Sequence, residues 1–327
     1  MPDDTAFDLT DLERAAALVR AVMAPTPQYA WPKLKVRAGC TVWVKHENHT
    51  PTGAFKVRGG LVYMERLSRA GQKFPGVISA TRGNHGQSIA YAAARAGIAA
   101  TVYVPRNNSE DQNSAIAGFG ARVVEFGEDF DAAKHEAFRV AAAEGLHFVP
   151  SFHRELVTGV ATYAFELFRS VAALDAVYVG VGMGSGITGL ITVRDLLGLK
   201  TEIIGVGAAQ APATALSFAA RRVVNAPTAR TFADGLATRE PHAEAIAKIC
   251  SGASRIVEVT EQEIAEAMRI YFDDTHQIAE GAGAAPLAAL LQERHKMAGK
   301  NLAVVLSGGN IERARFLQVL SGATPGQ

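Results

Sequence analysis

The sequence predicts an α/β protein, with parallel sheets and helices packed on both faces. Two observations carry this reading. Short apolar runs alternate with alanine-rich helical segments along the 327 residues. Three of the runs end in glycine-rich loops after Ala80, Gly182 and Leu306. Loops at the carboxyl ends of parallel strands, leading to helix N-termini, are where such sheets hold ligands.

The elements follow in order. "TVWVKHE" (41–47) reads as a strand. "GVISA" (76–80) is a second, followed by a glycine-broken loop carrying Thr81, Asn84 and His85, then the helix "QSIAYAAARAG" (87–97). "AATVYVP" (99–105) and "ARVVEFG" (121–127) are strands with helices between and after them. "LHFVPSF" (146–152) returns to strand. "LDAVYVGVG" (174–182), "TEIIGVG" (201–207) and "NLAVVLSGG" (301–309) complete the set. Thr260 and Glu263 have the spacing of a capping box that opens a helix. Residues 210–235 form the least regular region, and no internal repeat or low-complexity tract is visible.

The length is comfortable for two domains. With 33 basic and 32 acidic residues the chain carries +1, so no charge excess points to nucleic acid, an anionic membrane or a cationic partner. Its 48% hydrophobic and 20% charged residues are ordinary for a globular protein. The two cysteines, Cys40 and Cys250, make no metal-like spacing and no disulfide framework. The N-terminus has no basic region before an apolar stretch, and no uncharged apolar run approaches the roughly 20 residues of a membrane span. A cytoplasmic protein is the expectation.

The chemistry concentrates in a few motifs. "HTPTGAFKVRGG" (49–60) sets Lys56 between Phe55 and Val57, among Pro51, Gly53, Ala54, Gly59 and Gly60. An apolar setting lowers a lysine pKa, and a neutral amine attacks a carbonyl to form a Schiff base. "GVGMGSGITG" (180–189) follows an apolar strand and precedes a helix, which suits a phosphate. Gly184, Gly186 and Gly189 match G-x-G-x-x-G, yet the next strand lacks the terminal acid that holds a ribose. A single phosphate is favoured over a dinucleotide; a ligand-free tight turn would use the same glycines. In "SATRGNHGQS" (79–88), N–H groups at a helix start suit a carboxylate. Taken alone, His85 is a structural hydrogen-bonder more readily than a base, and Arg82 is a surface charge. Ser307 and Asn310 in "LSGGN" (306–310) are otherwise turn formers. No zinc, calcium, nucleophile-elbow or triphosphatase motif is present. A cofactor that joins an aldehyde to a phosphate is pyridoxal phosphate.

"KHENHTPTGAFKVRGG", "SATRGNHGQS", "GVGMGSGITG", "EGAGAAPLAAL" and "LSGGN" stand in the order seen in the serine/threonine dehydratases, and the chain resembles that family from about residue 20 to 320. The resemblance implies fold type II of the pyridoxal phosphate enzymes, the tryptophan-synthase-β-like fold: two open twisted, mostly parallel sheets flanked by helices. It implies a small domain (51–147) inserted into a large one (1–50 plus 148–327), and a homodimer. It places the cofactor's covalent bond on Lys56, Phe55 near the ring and Asn84 at the ring hydroxyl. Gly182, Met183, Gly184, Ser185 and Gly186 would wrap the phosphate, where relatives usually read G-G-G-G-L. Ser307 would face the pyridine nitrogen. Thr81, Arg82, Gly83, Asn84 and His85 would hold the substrate carboxylate. The small residues around Lys56 and Phe55 would let a flat cofactor lie against the backbone.

The expected activity is loss of water and then ammonia from a threonine- or serine-type amino acid, with a 2-keto acid as product. Racemase relatives carry a serine as second acid/base where this chain has Arg82, a poor base. Arg82 would instead pair with an acidic β-substituent or lie over an aromatic one, so 3-hydroxyaspartate and phenylserine are alternative substrates. His153, Arg154 and Phe232 are further candidates for that pocket. The glutamate of metal-dependent relatives is missing after "EIIGVG", so no metal is expected there, and the short chain after "LSGGN" leaves no room for a regulatory domain. A NAD-dependent oxidoreductase built on "GSGITG" and a non-catalytic sensor are the rival readings.

Overall fold

The computed structural model describes residues 6–71 and 73–326. Ten strands run through these residues: β1 (Gln28–Ala30), β2 (Thr41–His46), β3 (Val77–Ala80), β4 (Ala100–Val104), β5 (Arg122–Glu125), β6 (His147–Phe148), β7 (Ala176–Gly180), β8 (Glu202–Ala208), β9 (Arg255–Val259) and β10 (Asn301–Leu306). They form a six-stranded sheet, ordered β1-β2-β10-β7-β8-β9, and a four-stranded sheet, ordered β5-β4-β3-β6. All pairings are parallel except β1 with β2. Strand β10 lies centrally, with Val304 opposite Val44 on one side and Tyr178 on the other. Its run "NLAVVL" is almost wholly apolar because both faces are covered by helices.

Several boundaries differ from the sequence reading. Strands β1 and β9 were not anticipated: "QYA" is three residues long, and "RIVEV" is interrupted by charges. Strand β6 is shorter than expected. After Val149 N–H bonds the Ile78 carbonyl, Pro150 has no N–H with which to continue. The irregular region contains one helix, Ala213–Ala220, and a 3₁₀ turn, Asp234–Leu236. The capping box is present, with Glu263 N–H donating to Thr260 Oγ1 and Thr260 N–H to Glu263 Oε2. The helix after β3 starts at Asn84, so Asn84 and His85 belong to its first turn and not to the loop. Thr81 Oγ1 accepts the Gly83 N–H at 2.9 Å, which folds the chain into the helix start.

The glycines after Lys56 act in packing. A Cβ on Gly59 would stand 2.7 Å from the Leu156 carbonyl oxygen, and one on Gly60 would stand 2.8 Å from that of Ser88. These two residues let the helix Lys56–Arg69 press against the helices Arg154–Ser170 and Asn84–Arg95. They do not line the cavity described below. Among the described residues, no helix is long and apolar enough to cross a membrane.

Candidate active site

Lys56 opens its helix, and the turn before it is tied to the end of β10. Phe55 N–H bonds the Ser307 carbonyl at 3.0 Å, Gly309 N–H bonds the Gly53 carbonyl at 2.9 Å, and Ala54 bridges Gly308. Lys56 and Ser307, 251 positions apart in "AFK" and "LSGG", therefore share one wall. Below them lies a buried ionic cluster. Arg58 Nε bonds Glu47 Oε2 at 2.7 Å, and Arg58 Nη1 bonds Glu166 Oε1 at 2.8 Å. Lys45 Nζ reaches Glu166 Oε2 at 2.7 Å. Two cations and two anions cancel in full burial, fixing the Lys56 helix to β2 and to the helix Arg154–Ser170.

The loop after β7 meets Lys56 from the other side. Lys56 Nζ donates to Ser185 Oγ at 3.1 Å. Ser185 is the first residue of the helix Ser185–Leu196, so the N–H groups of Ser185, Gly186 and Ile187 have no intrahelical acceptor. Gly184 has φ +95°, and a Cβ there would lie 2.7 Å from that of Ala245, so only glycine fits. Tyr163 Oη donates to the Gly186 carbonyl at 3.0 Å, and Phe55 stands edge-on to Tyr163. The loop is thus braced by the side chain that precedes Lys56.

One cavity of about 200 Å³ is lined by Phe55, Lys56, the 81–85 segment, the 182–186 loop and Ser307. The residues assigned from the sequence to the cofactor and to the substrate carboxylate meet there. Phe232 joins them. His153 and Arg154 do not. His153 Nδ1 accepts the Glu155 N–H to cap its helix, and Arg154 pairs with Asp11 at 2.7 Å. His85 is buried, with Nε2 at 3.1 Å from Ser79 Oγ, and burial lowers its pKa to about 3. It is a neutral hydrogen-bonder at physiological pH.

Glu280, unassigned from the sequence, also lines the cavity. Asn84 Nδ2 donates to both of its carboxyl oxygens, at 2.8 and 3.1 Å, and Asn310 Nδ2 donates to Asn84 Oδ1 at 2.8 Å. Burial raises Glu280 to about 7, against the opposing pull of the Asn84 amide. The available signal was an acid directly preceding "GAGAA", a helix start too small in side chains to shield it.

Residues 19–308 match the family of pyridoxal-phosphate dependent enzymes. The chain belongs to that family. Within it, the chain is 32% identical over 289 residues to the biosynthetic L-threonine dehydratase of Salmonella typhimurium, covering 88% of this chain and 56% of that one. It thus spans little more than half that relative's length. It is 28% identical over 317 residues to the L-threo-3-hydroxyaspartate ammonia-lyase of Saccharomyces cerevisiae, covering 97% of each. The processed form of threonine deaminase isoform 2 from Solanum lycopersicum shares the fold with a TM-score of 0.88 at 28% identity, covering 99% of this chain and 96% of that one.

The site fits the family's cofactor on its own donor set. The cavity brings together one amine, one helix start with unpaired N–H groups and the Ser307 hydroxyl. Burial lowers the Lys56 amine to about 8. Covalent capture of pyridoxal phosphate by the apo-pyridoxal-phosphate enzyme is therefore expected to rise about tenfold from pH 7 to pH 9 and then level off, as the neutral amine fraction saturates. A capture rate still climbing tenfold per unit through pH 10 would return Lys56 to its ordinary value.

Proposed function

We propose that this chain is an ammonia-lyase that removes water and then ammonia from a β-hydroxy amino acid of the threonine or serine type, releasing a 2-keto acid. The observation that carries the proposal is the Lys56 amine, held 3.1 Å from Ser185 at the head of a phosphate-type helix start, with the neutral Ser307 hydroxyl in the same cavity. The names of the relatives support the same class.

When bound, pyridoxal phosphate supplies an electron sink for negative charge at the substrate Cα. Lys56 would hold it covalently, and Gly182, Met183, Gly184, Ser185 and Gly186 would offer backbone donors to its phosphate. Phe55 and Asn84 would flank the ring. Ser307 would meet the pyridine nitrogen with a hydroxyl. A neutral partner does not hold a proton on that nitrogen as a carboxylate would, so the sink is weaker. A weaker sink favours prompt expulsion of the β-hydroxyl over transamination. The 81–85 segment would hold the substrate carboxylate, using N–H groups of the helix start at Asn84. The Lys56 amine, partly neutral at pH 7, would take the Cα proton as general base. Arg82 does not act as a second base, because guanidinium stays protonated.

A second substrate reading, 3-hydroxyaspartate, is favoured by Arg82. Its side chain lines the cavity and makes no ion pair among the described residues, while the neighbouring Asp234 is already paired with Arg315 at 3.1 Å. One assay tests both readings: keto-acid release from L- and D-serine, threonine, the 3-hydroxyaspartate diastereomers and phenylserine, by wild type and Arg82→Leu. Release from at least one of these is expected. Arg82→Leu is expected to lower kcat/KM for 3-hydroxyaspartate by roughly 30-fold, the value of a hydrogen bond to a charged group, and that for threonine by less than about threefold. Equal losses on both substrates would remove Arg82 from β-substituent recognition. No keto acid from any substrate would overturn the lyase reading.

A further inference from the structure

Besides Met183, the phosphate loop carries one polar side chain that its expected task does not require. Relatives usually place glycine at the position of Ser185, and backbone N–H groups alone hold an anion at a helix start. Here Ser185 is buried, and its Oγ accepts the Lys56 amine at 3.1 Å. That is the single side-chain hydrogen bond of Lys56 Nζ among the described residues. The Phe55 ring centroid lies 5.2 Å from the amine, and no second acceptor is within hydrogen-bond distance of it among the described residues. Among the same residues the Ser185 hydroxyl proton has no protein acceptor, so it remains free for an anion at the helix start.

We infer that Ser185 is a positioning residue for Lys56: its hydroxyl holds the amine whenever Lys56 is not covalently engaged, keeping it at the head of the Ser185–Leu196 helix. This rests on the reading of Lys56 as the residue that binds the cofactor and then acts as base. A free lysine carries four rotatable bonds, and disorder in them lowers the fraction of time the amine is in reach of its target. One hydrogen bond to a rigid helix start removes much of that disorder. The hydroxyl accepts from the amine and could at the same time donate to an anion at the helix start.

The test separates these two tasks with pyridoxal, which has the aldehyde and lacks the phosphate. Apo-protein of wild type, Ser185→Ala and Ser185→Thr is mixed with pyridoxal, and covalent capture is followed by absorbance. Ser185→Ala is expected to slow capture by about tenfold, while Ser185→Thr, which keeps the hydroxyl, stays within about threefold of wild type. With cofactor loaded, Ser185→Ala is expected to lower kcat more than KM rises. Ser185→Gly repeats the measurement should Ser185→Ala fail to fold. Pyridoxal capture unchanged or faster in both hydroxyl-free variants, with only inorganic phosphate bound more weakly, would overturn the inference and leave Ser185 as a phosphate ligand. Slower capture in a protein that releases keto acid from no hydroxy amino acid would uphold the positioning role and reject the lyase reading.

Discussion

Lys56→Ala is expected to lower keto-acid release by more than about 10³-fold, because one side chain supplies both the covalent anchor and the general base. The same variant is expected to lose the borohydride-sensitive visible absorbance of the loaded protein. Its thermal midpoint should stay close to that of wild type. The Lys56 side chain makes one neutral-partner hydrogen bond and no ion pair among the described residues, so truncation removes little native energy. Turnover within tenfold of wild type would remove Lys56 from the chemistry altogether.

Arg58→Met is the second large expectation, and its effect falls on stability. The guanidinium bonds Glu47 and Glu166 with all three of its nitrogens, at 2.7 to 3.0 Å, and is itself fully buried. Methionine fills much of the volume and leaves two carboxylates buried with Lys45 as their one counter-charge among the described residues. The expected loss is about 3–5 kcal/mol, measured by denaturant or thermal unfolding of the apo-protein. Adding Glu47→Gln and Glu166→Gln to Arg58→Met removes the uncompensated charge and should restore part of the loss. A single variant within about 1 kcal/mol of wild type would mean that the carboxylates find other partners. Because Arg58 lies two residues beyond Lys56 on the same helix, cofactor affinity should fall together with stability.

Much of the site was legible because each motif follows the carboxyl end of a strand. Ala80 leads to Thr81, Gly180 to the 182–186 loop and Leu306 to Ser307, and strand ends in parallel sheets converge. Lys56 stood out in the sequence by its apolar neighbours, and it lines the cavity. The glycines beside it misled, since Gly59 and Gly60 serve helix contact. A glycine required by a neighbouring backbone and one required by a ligand look the same in a chain. Arg58 was equally opaque: its partners Glu47 and Glu166 lie 11 and 108 positions away.

What the sequence determined by itself was local and chemical. Apolar runs decided most of the segments that become strands, Thr260 and Glu263 decided a helix start, and the small residues before Ile187 decided another with free N–H groups. These depend on backbone sterics and on hydrogen bonds between residues a few positions apart. Only the tertiary structure decided that Ser185 meets Lys56, that Glu280 is held by Asn84, and that Arg82 has no ion pair among the described residues beside an Asp234 already taken by Arg315. Each of these depends on distances between loops from different strands. Strand order and register set those distances, and local sequence does not encode them.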